Sequence, residues 1–143
     1  MTAAMTKILL AEDSKFLRLA TERALVRAGY AVSSASDGEE ALKLAGENMP
    51  DVILLDMLLP KLSGHDVLKA LKKNPTTADI PVVIMTGLSE KNAKKLQVDG
   101  AFAFLEKSAL ALDRGPGALL SALRKIIEQI PPSRALEAAS GKS

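Results

Sequence analysis

Short apolar runs alternate with amphipathic stretches along the chain. Runs rich in Ile, Val and Leu, with little polar interruption, predict strands buried on both faces at Lys7–Ala11, Ala31–Ala35, Val52–Asp56, Val82–Thr86 and Phe102–Glu106. Between them the spacing turns helical. Ser14 to Ala28 sets Leu17, Ala20, Ala24 and Leu25 on one face and Arg18, Glu22 and Arg27 on another, and Gly29 stops it. Asp37 caps a second predicted helix running through Ala41, Leu42 and Leu44 towards Asn48. A third, Gly64 to Lys73, turns Val67, Leu68 and Leu71 inward and ends at Asn74-Pro75. Ser89 to about Asp99 is a fourth, rich in Lys and weak in periodicity. The last runs from Ala118 to Ile130 and is broken by Pro131-Pro132.

Five rounds of strand then helix predict an α/β fold: a doubly wound parallel five-stranded sheet, (βα)5, with right-handed crossovers and helices on both faces. The favoured strand order is the flavodoxin-like one, 2-1-3-4-5. The length of 143 residues fits one domain, taken as 1–130, with 131–143 a small, polar tail or truncated linker.

Composition narrows the chemistry. No cysteine is present, which excludes thiol catalysis, cysteine-ligated zinc and a disulfide framework. His65 is the only histidine, so a multi-histidine metal site is excluded too. A formal charge of +2 is too near balance to argue for a nucleic-acid or membrane partner. Without Trp and with one Tyr, a base-stacking platform is not expected. No apolar run approaches a membrane span, and Met1 to Lys7 lacks the apolar core of a signal peptide, so a cytoplasmic location is expected.

In an open parallel sheet, ligands bind beyond the carboxyl ends of the strands. The first predicted strand runs into Glu12-Asp13, the third ends at Asp56, the fourth at Thr86, and the fifth runs into Lys107. Three carboxylates, a hydroxyl and an ammonium therefore meet at one edge. Oxygen-only donors suit a hard ion, and Mg2+ favours a few carboxylates with waters and phosphate. Asp56 has the placement of a nucleophile that could carry an aspartyl phosphate. Phosphoryl transfer spreads charge over three equatorial oxygens, which Mg2+, Thr86 and Lys107 would meet. No Gly-rich phosphate loop is present, so a nucleotide is not the obvious donor. Taken singly, Asp13 reads as a helix cap, Lys107 as a solvated side chain and Thr86 as ordinary strand propensity. Together, at four strand ends on one edge, they argue for a site.

The segment Asp56-Met57-Leu58-Leu59-Pro60-Lys61-Leu62-Ser63-Gly64 puts Pro four and Gly eight residues after the acid. With Asn74-Pro75, Ile80-Pro81-Val82-Val83-Ile84-Met85-Thr86 and the intervals of 43, 30 and 21 residues from Asp13 to Asp56, Thr86 and Lys107, the chain resembles the receiver domain of two-component response regulators, closest to the stand-alone chemotaxis type. The resemblance covers roughly Lys7 to Ile130. It implies that Asp56 is the phosphoacceptor and that Glu12, Asp13, Asp56 and the backbone carbonyl of Leu58 hold Mg2+. It further implies that Thr86 is the switch hydroxyl, Lys107 its cationic companion and Phe104 the aromatic switch that alters the surface of the fourth helix, fifth strand and last helix. The implied partners are a sensor histidine kinase or histidine phosphotransfer protein and an unidentified downstream protein, with no direct nucleic acid and no membrane. Phosphorylation-dependent dimerisation stays open at this point.

The sequence departs from the family where Ser108 replaces the usual Pro after Lys107, and where Ser108 to Gly117 makes a longer connection containing Gly115-Pro116-Gly117. A rival expectation is a degenerate receiver, an interaction module never phosphorylated. A phosphatase with an Asp nucleophile typically carries a second acid two residues on, and Leu58 stands there. The receiver is accordingly expected to be no enzyme beyond its own phosphorylation and dephosphorylation. His65 is expected to face solvent, Lys91, Lys94 and Lys95 to form a solvated helix face, and Met57 and Met85 to serve packing.

Overall fold

The computed structural model describes residues 6–86, 100–106 and 117–130. Within them the chain runs β1 (Lys7–Ala11), α1 (Lys15–Arg27), β2 (Ala31–Ala35), α2 (Gly38–Asn48), β3 (Val52–Asp56), α3 (Gly64–Lys73), β4 (Val82–Thr86), β5 (Ala103–Glu106) and α4 (Gly117–Glu128). The strands form one sheet in the order β2-β1-β3-β4-β5, and every neighbouring pair is parallel. The predicted order is the observed one. The helix predicted over Ser89 to Asp99 lies outside the described residues.

Alternation along the strands divides the core into two layers. Leu9 and Ala11, Ile53 and Leu55, and Val82 and Ile84 pack with Ala41 and Ala45 of α2 and Val67, Leu68 and Leu71 of α3. Ile8 and Leu10, Val52 and Leu54, and Val83 and Met85 pack on the other side with Leu25 of α1 and Leu119, Leu123 and Ile126 of α4. β3 is central, and all five of its residues are buried. Each such aliphatic side chain contributes about 1.5–3 kcal/mol by leaving water. The expectation that every strand is buried on both faces fails at β2. It lies at the sheet edge, and only Ala35 is buried while Ser33 and Ser34 are half-buried.

The bounds of β5 and α4 also differ from the predicted ones. β5 begins at Ala103 rather than Phe102, although the Phe102 N–H still donates to the Val82 carbonyl at 2.8 Å. α4 begins at Gly117 and ends at Glu128, because Gln129 and Ile130 switch to bonds with Ile126 and Ile127 three residues back, at 3.0 and 3.1 Å. That tighter winding is how many helices terminate.

The three crossover helices α1, α2 and α3 all start at the carboxyl edge of the sheet, each from an oxygen that takes the amide three residues on. Ser14 accepts from Leu17 at 3.3 Å, Asp37 from Glu40 at 2.8 Å and Ser63 from Asp66 at 3.2 Å. Such caps satisfy amides that a helix leaves unpaired and are worth about 1 kcal/mol each. They also fix where each loop at that edge must end. No helix among the described residues is long and apolar enough to cross a membrane.

Candidate functional site at the carboxyl edge

The register brings the candidate residues to neighbouring strand ends. Ala11 pairs with Leu55, so Glu12 follows β1 at the level of Asp56, the last residue of β3. Asp56 pairs with Met85, one residue before Thr86 ends β4, and Thr86 pairs with Glu106 at the end of β5. Lys107, Ser108 and the side chain of Thr86 lie outside the described residues, as do Lys91, Lys94 and Lys95.

Glu12 is buried, with 5% of its surface exposed. Its N–H donates to the Ala35 carbonyl at 3.0 Å, carrying the ladder one residue past β1, and Oε2 accepts the Ser14 N–H at 3.0 Å. Asp13 is exposed. The two carbonyls of this acidic pair are held by one guanidinium: Arg18 Nη1 donates to the Glu12 oxygen at 3.0 Å and the Asp13 oxygen at 3.3 Å. The reading of Arg18 as an outward-facing charge missed this. It lies one helical turn past the Ser14 cap, a position from which a long cation can fold back onto the loop.

Asp56 is buried, with 3% exposed, and its Oδ1 accepts the Leu58 N–H at 3.1 Å. The Met57 N–H extends the sheet to the Met85 carbonyl at 3.3 Å, and the Gly64 N–H closes the loop onto the Met57 carbonyl at 3.0 Å. Gly64 is required there: a Cβ on it would stand 2.5 Å from the Asp56 carbonyl oxygen and 2.6 Å from Met57 Cα. The interval of eight residues from Asp56 to Gly64 thus has a steric cause. Met57 packs at the margin of the core layer with α2 and α3, whereas Leu58 is 81% exposed.

Phe104 pairs with Ile84, two residues before Thr86 on β4, and packs half-buried against the same layer. His65 departs from expectation. It is half-buried and engaged with a partner rather than facing open solvent.

The oxygen-only donors of Glu12, Asp13 and Asp56 suit a hard cation in kind. As the side chains stand, Oε2 of Glu12 is committed to the Ser14 amide. Among the described residues no three His, Cys, Asp or Glu side chains are gathered closely enough to hold a metal ion.

A doubly wound parallel sheet in the order 2-1-3-4-5 is the flavodoxin-like class of α/β fold. The profile of the response regulator receiver domain matches residues 8–114, and the chain belongs to that family. Over 109 residues it is 42% identical to the gliding motility regulatory protein of Myxococcus xanthus, covering 75% of this chain and 14% of that one. Over 102 residues it is 38% identical to the response regulator PleD of Caulobacter vibrioides, covering 71% and 22%. The chain thus spans less than a quarter of these two relatives. The structure of the chemotaxis response regulator CheY4 of Vibrio cholerae superposes with a TM-score of 0.78 at 30% identity, covering 86% of this chain and 99% of that one. The response regulator domain of Thermotoga maritima CheB gives 0.75 at 27% identity, covering 90% and 100%. Receiver domains are modules of two-component phosphorylation signalling, not classical enzymes, and generally bind Mg2+.

Proposed function

We propose that this chain is a working phosphorylation switch in which Asp56 takes a phosphoryl group from a phosphohistidine of a sensor histidine kinase or histidine phosphotransfer protein. The observation that carries the reading is the position of Asp56. It is a buried carboxylate ending the central strand, level with Glu12, with the Leu58 amide on Oδ1. One carboxylate oxygen attacks phosphorus, the P–N bond breaks with its electron pair passing to the imidazole nitrogen, and an aspartyl phosphate results. Glu12, Asp13, Asp56 and the Leu58 carbonyl would hold Mg2+, which would supply positive charge against the phosphoryl oxygens. The Thr86 hydroxyl and the Lys107 ammonium donate to those oxygens. The added charge biases a two-state element, and Phe104 turns inward as Thr86 shifts. A downstream protein then reads the surface around β5 and α4. In this reading residues 1–130 form the receiver, residues 131–143 a tail or linker, and the protein works in the cytoplasm.

Intact mass after incubation with Mg2+ and acetyl phosphate tests this directly. The parent is expected to gain one phosphoryl group and Asp56→Asn none, with the same far-ultraviolet circular dichroism for both. Labelling of the Asn variant would sink the site assignment. An unlabelled parent would favour the constitutive interaction module.

A further inference from the structure

Between Asp56 and α3 the chain makes an unusual turn. Lys61 has a φ of 68°, and across it the Leu62 N–H donates to the Pro60 carbonyl at 2.8 Å. A hydrogen bond spanning one residue of positive φ marks the rarer, strained form of the γ-turn. A non-glycine residue held this way is strained and persists only where its surroundings over-determine it.

Those surroundings come from the first turn of α2. The Gly38 N–H donates to the same Pro60 carbonyl at 3.2 Å. The Lys61 ammonium lies 3.5 Å from Asp37 Oδ2 and 3.9 Å from Glu39 Oε1. A Cβ on Gly38 would stand 2.4 Å from the Leu62 carbonyl oxygen, 2.6 Å from Leu62 Cβ and 2.9 Å from Val67 Cγ2. The Leu62 carbonyl together with the side chains of Leu62 and Val67 fills the space that any other side chain at position 38 would occupy. Gly38 and Leu62 are 24 residues apart in sequence, so this contact is a property of the fold rather than of a local turn.

We propose that the first turn of α2 is the seat of the acceptor loop, and that Gly38 is a positioning residue for phosphorylation of Asp56. The inference rests on the phosphoacceptor reading above. The loop is short and tied at both ends, by the Leu58 N–H on Asp56 Oδ1 and by the Gly64 N–H on the Met57 carbonyl. A displacement of Leu62 from its seat is therefore passed to Leu58 and to the backbone that Leu58 presents beside Asp56. With a methyl at position 38, the Leu62 oxygen must retreat from 2.4 Å to beyond 3.0 Å. Misplacements on this scale beside a reacting group cost up to about a hundredfold in rate.

The test compares the parent, Gly38→Ala and Lys61→Gln by amide hydrogen exchange and by labelling with acetyl phosphate over a range of Mg2+ concentrations. Gly38→Ala is expected to keep the protection of its β1, β3 and β4 amides. Its Leu58 and Leu62 amides should exchange about tenfold faster or more, its labelling should slow about tenfold or more, and its half-saturating Mg2+ should rise. Lys61→Gln removes only the ion pairs of a largely exposed lysine and should move the same readouts about two- to fivefold. Unchanged exchange at Leu58 in Gly38→Ala, or faster exchange with labelling at the parental rate, overturns the proposal. If Gly38→Ala does not fold, Lys61→Gln decides: joint movement of exchange and labelling supports the seat, and no movement of either overturns it. A parent that takes no label sinks the phosphoacceptor reading instead, and exchange at Leu58 then still upholds or overturns the seat itself.

Discussion

The loop after β1 and the loop after β3 both deliver acids to the carboxyl edge, and they are pinned by opposite means. The first is held by side chains that reach into it: Arg18 grips two carbonyls, and Glu12 takes the Ser14 amide. The second is held where side chains are missing, with backbone packed where a Cβ would be at Gly64 and the Leu62 carbonyl and two apolar side chains packed there at Gly38. Polar grips on partly exposed loops are individually modest, because water competes for every donor and acceptor. Close backbone packing offers no such substitute, since an added methyl cannot be solvated away and something must move. The difference predicts graded responses in the first loop and abrupt ones in the second.

Gly64→Ala should show the largest effect. Its methyl meets main-chain atoms of Asp56 and Met57, so about 3 kcal/mol of stability should go, read from the urea midpoint at unchanged slope. A variant within about 0.5 kcal/mol of the parent would remove the basis of the comparison, since that is the range of ordinary surface changes. Arg18→Gln comes next. Losing the two bonds to the Glu12 and Asp13 carbonyls should cost about 1 kcal/mol by the same assay, because water can reach the half-exposed loop. A loss as large as that of Gly64→Ala would show that the side-chain grip is not the gentler one.

The smallest effect belongs to Asp37, which caps α2 beside the seat. The Glu40 N–H on its carboxylate, with Lys61 nearby, holds its pKa below the ordinary 3.8. A depressed carboxyl contributes stability that is present above the unfolded value and lost as pH falls through the folded one. Asp37→Asn retains a capping oxygen but cannot titrate. Urea midpoints of the variant should therefore fall less steeply than those of the parent as pH drops below about 4. Parallel acid limbs would mean that the charge on Asp37 does not contribute.

The contrast between the loops also explains how far the chain could be read before its structure. The strands were visible because each is a short run with few polar interruptions, and strict alternation with helices made the sheet parallel, for which the flavodoxin-like order was the favoured one. The helix caps were visible where the capping residue immediately precedes its helix, as at Asp37. Glu12, Asp56 and Thr86 were placed together by topology alone, since a parallel sheet sends every strand end to one side. Arg18 was hidden because a charged residue on an amphipathic helix looks the same whether it points to solvent or folds back to a carbonyl. Gly38 was hidden for a stronger reason. The need for glycine there is set by Leu62, and nothing near position 38 in the sequence records it. β2 misled because an edge strand half-covered by helices can carry two serines and still pair fully with β1.

The strand order has a consequence for how the protein is made. Once β3 has joined β1, β4 and then β5 are added outward in the order of their synthesis, each to the edge left by the one before. Thirty residues separate Asp56 from Thr86, so at about 5–20 residues per second the last residue of β4 is synthesised roughly 1.5–6 s after that of β3. For that interval Val52-Ile53-Leu54-Leu55 is an apolar ribbon with one open flank, the kind of edge that other nascent chains can join. The acid that ends it is also a gatekeeper, a charge at the tip of an apolar strand.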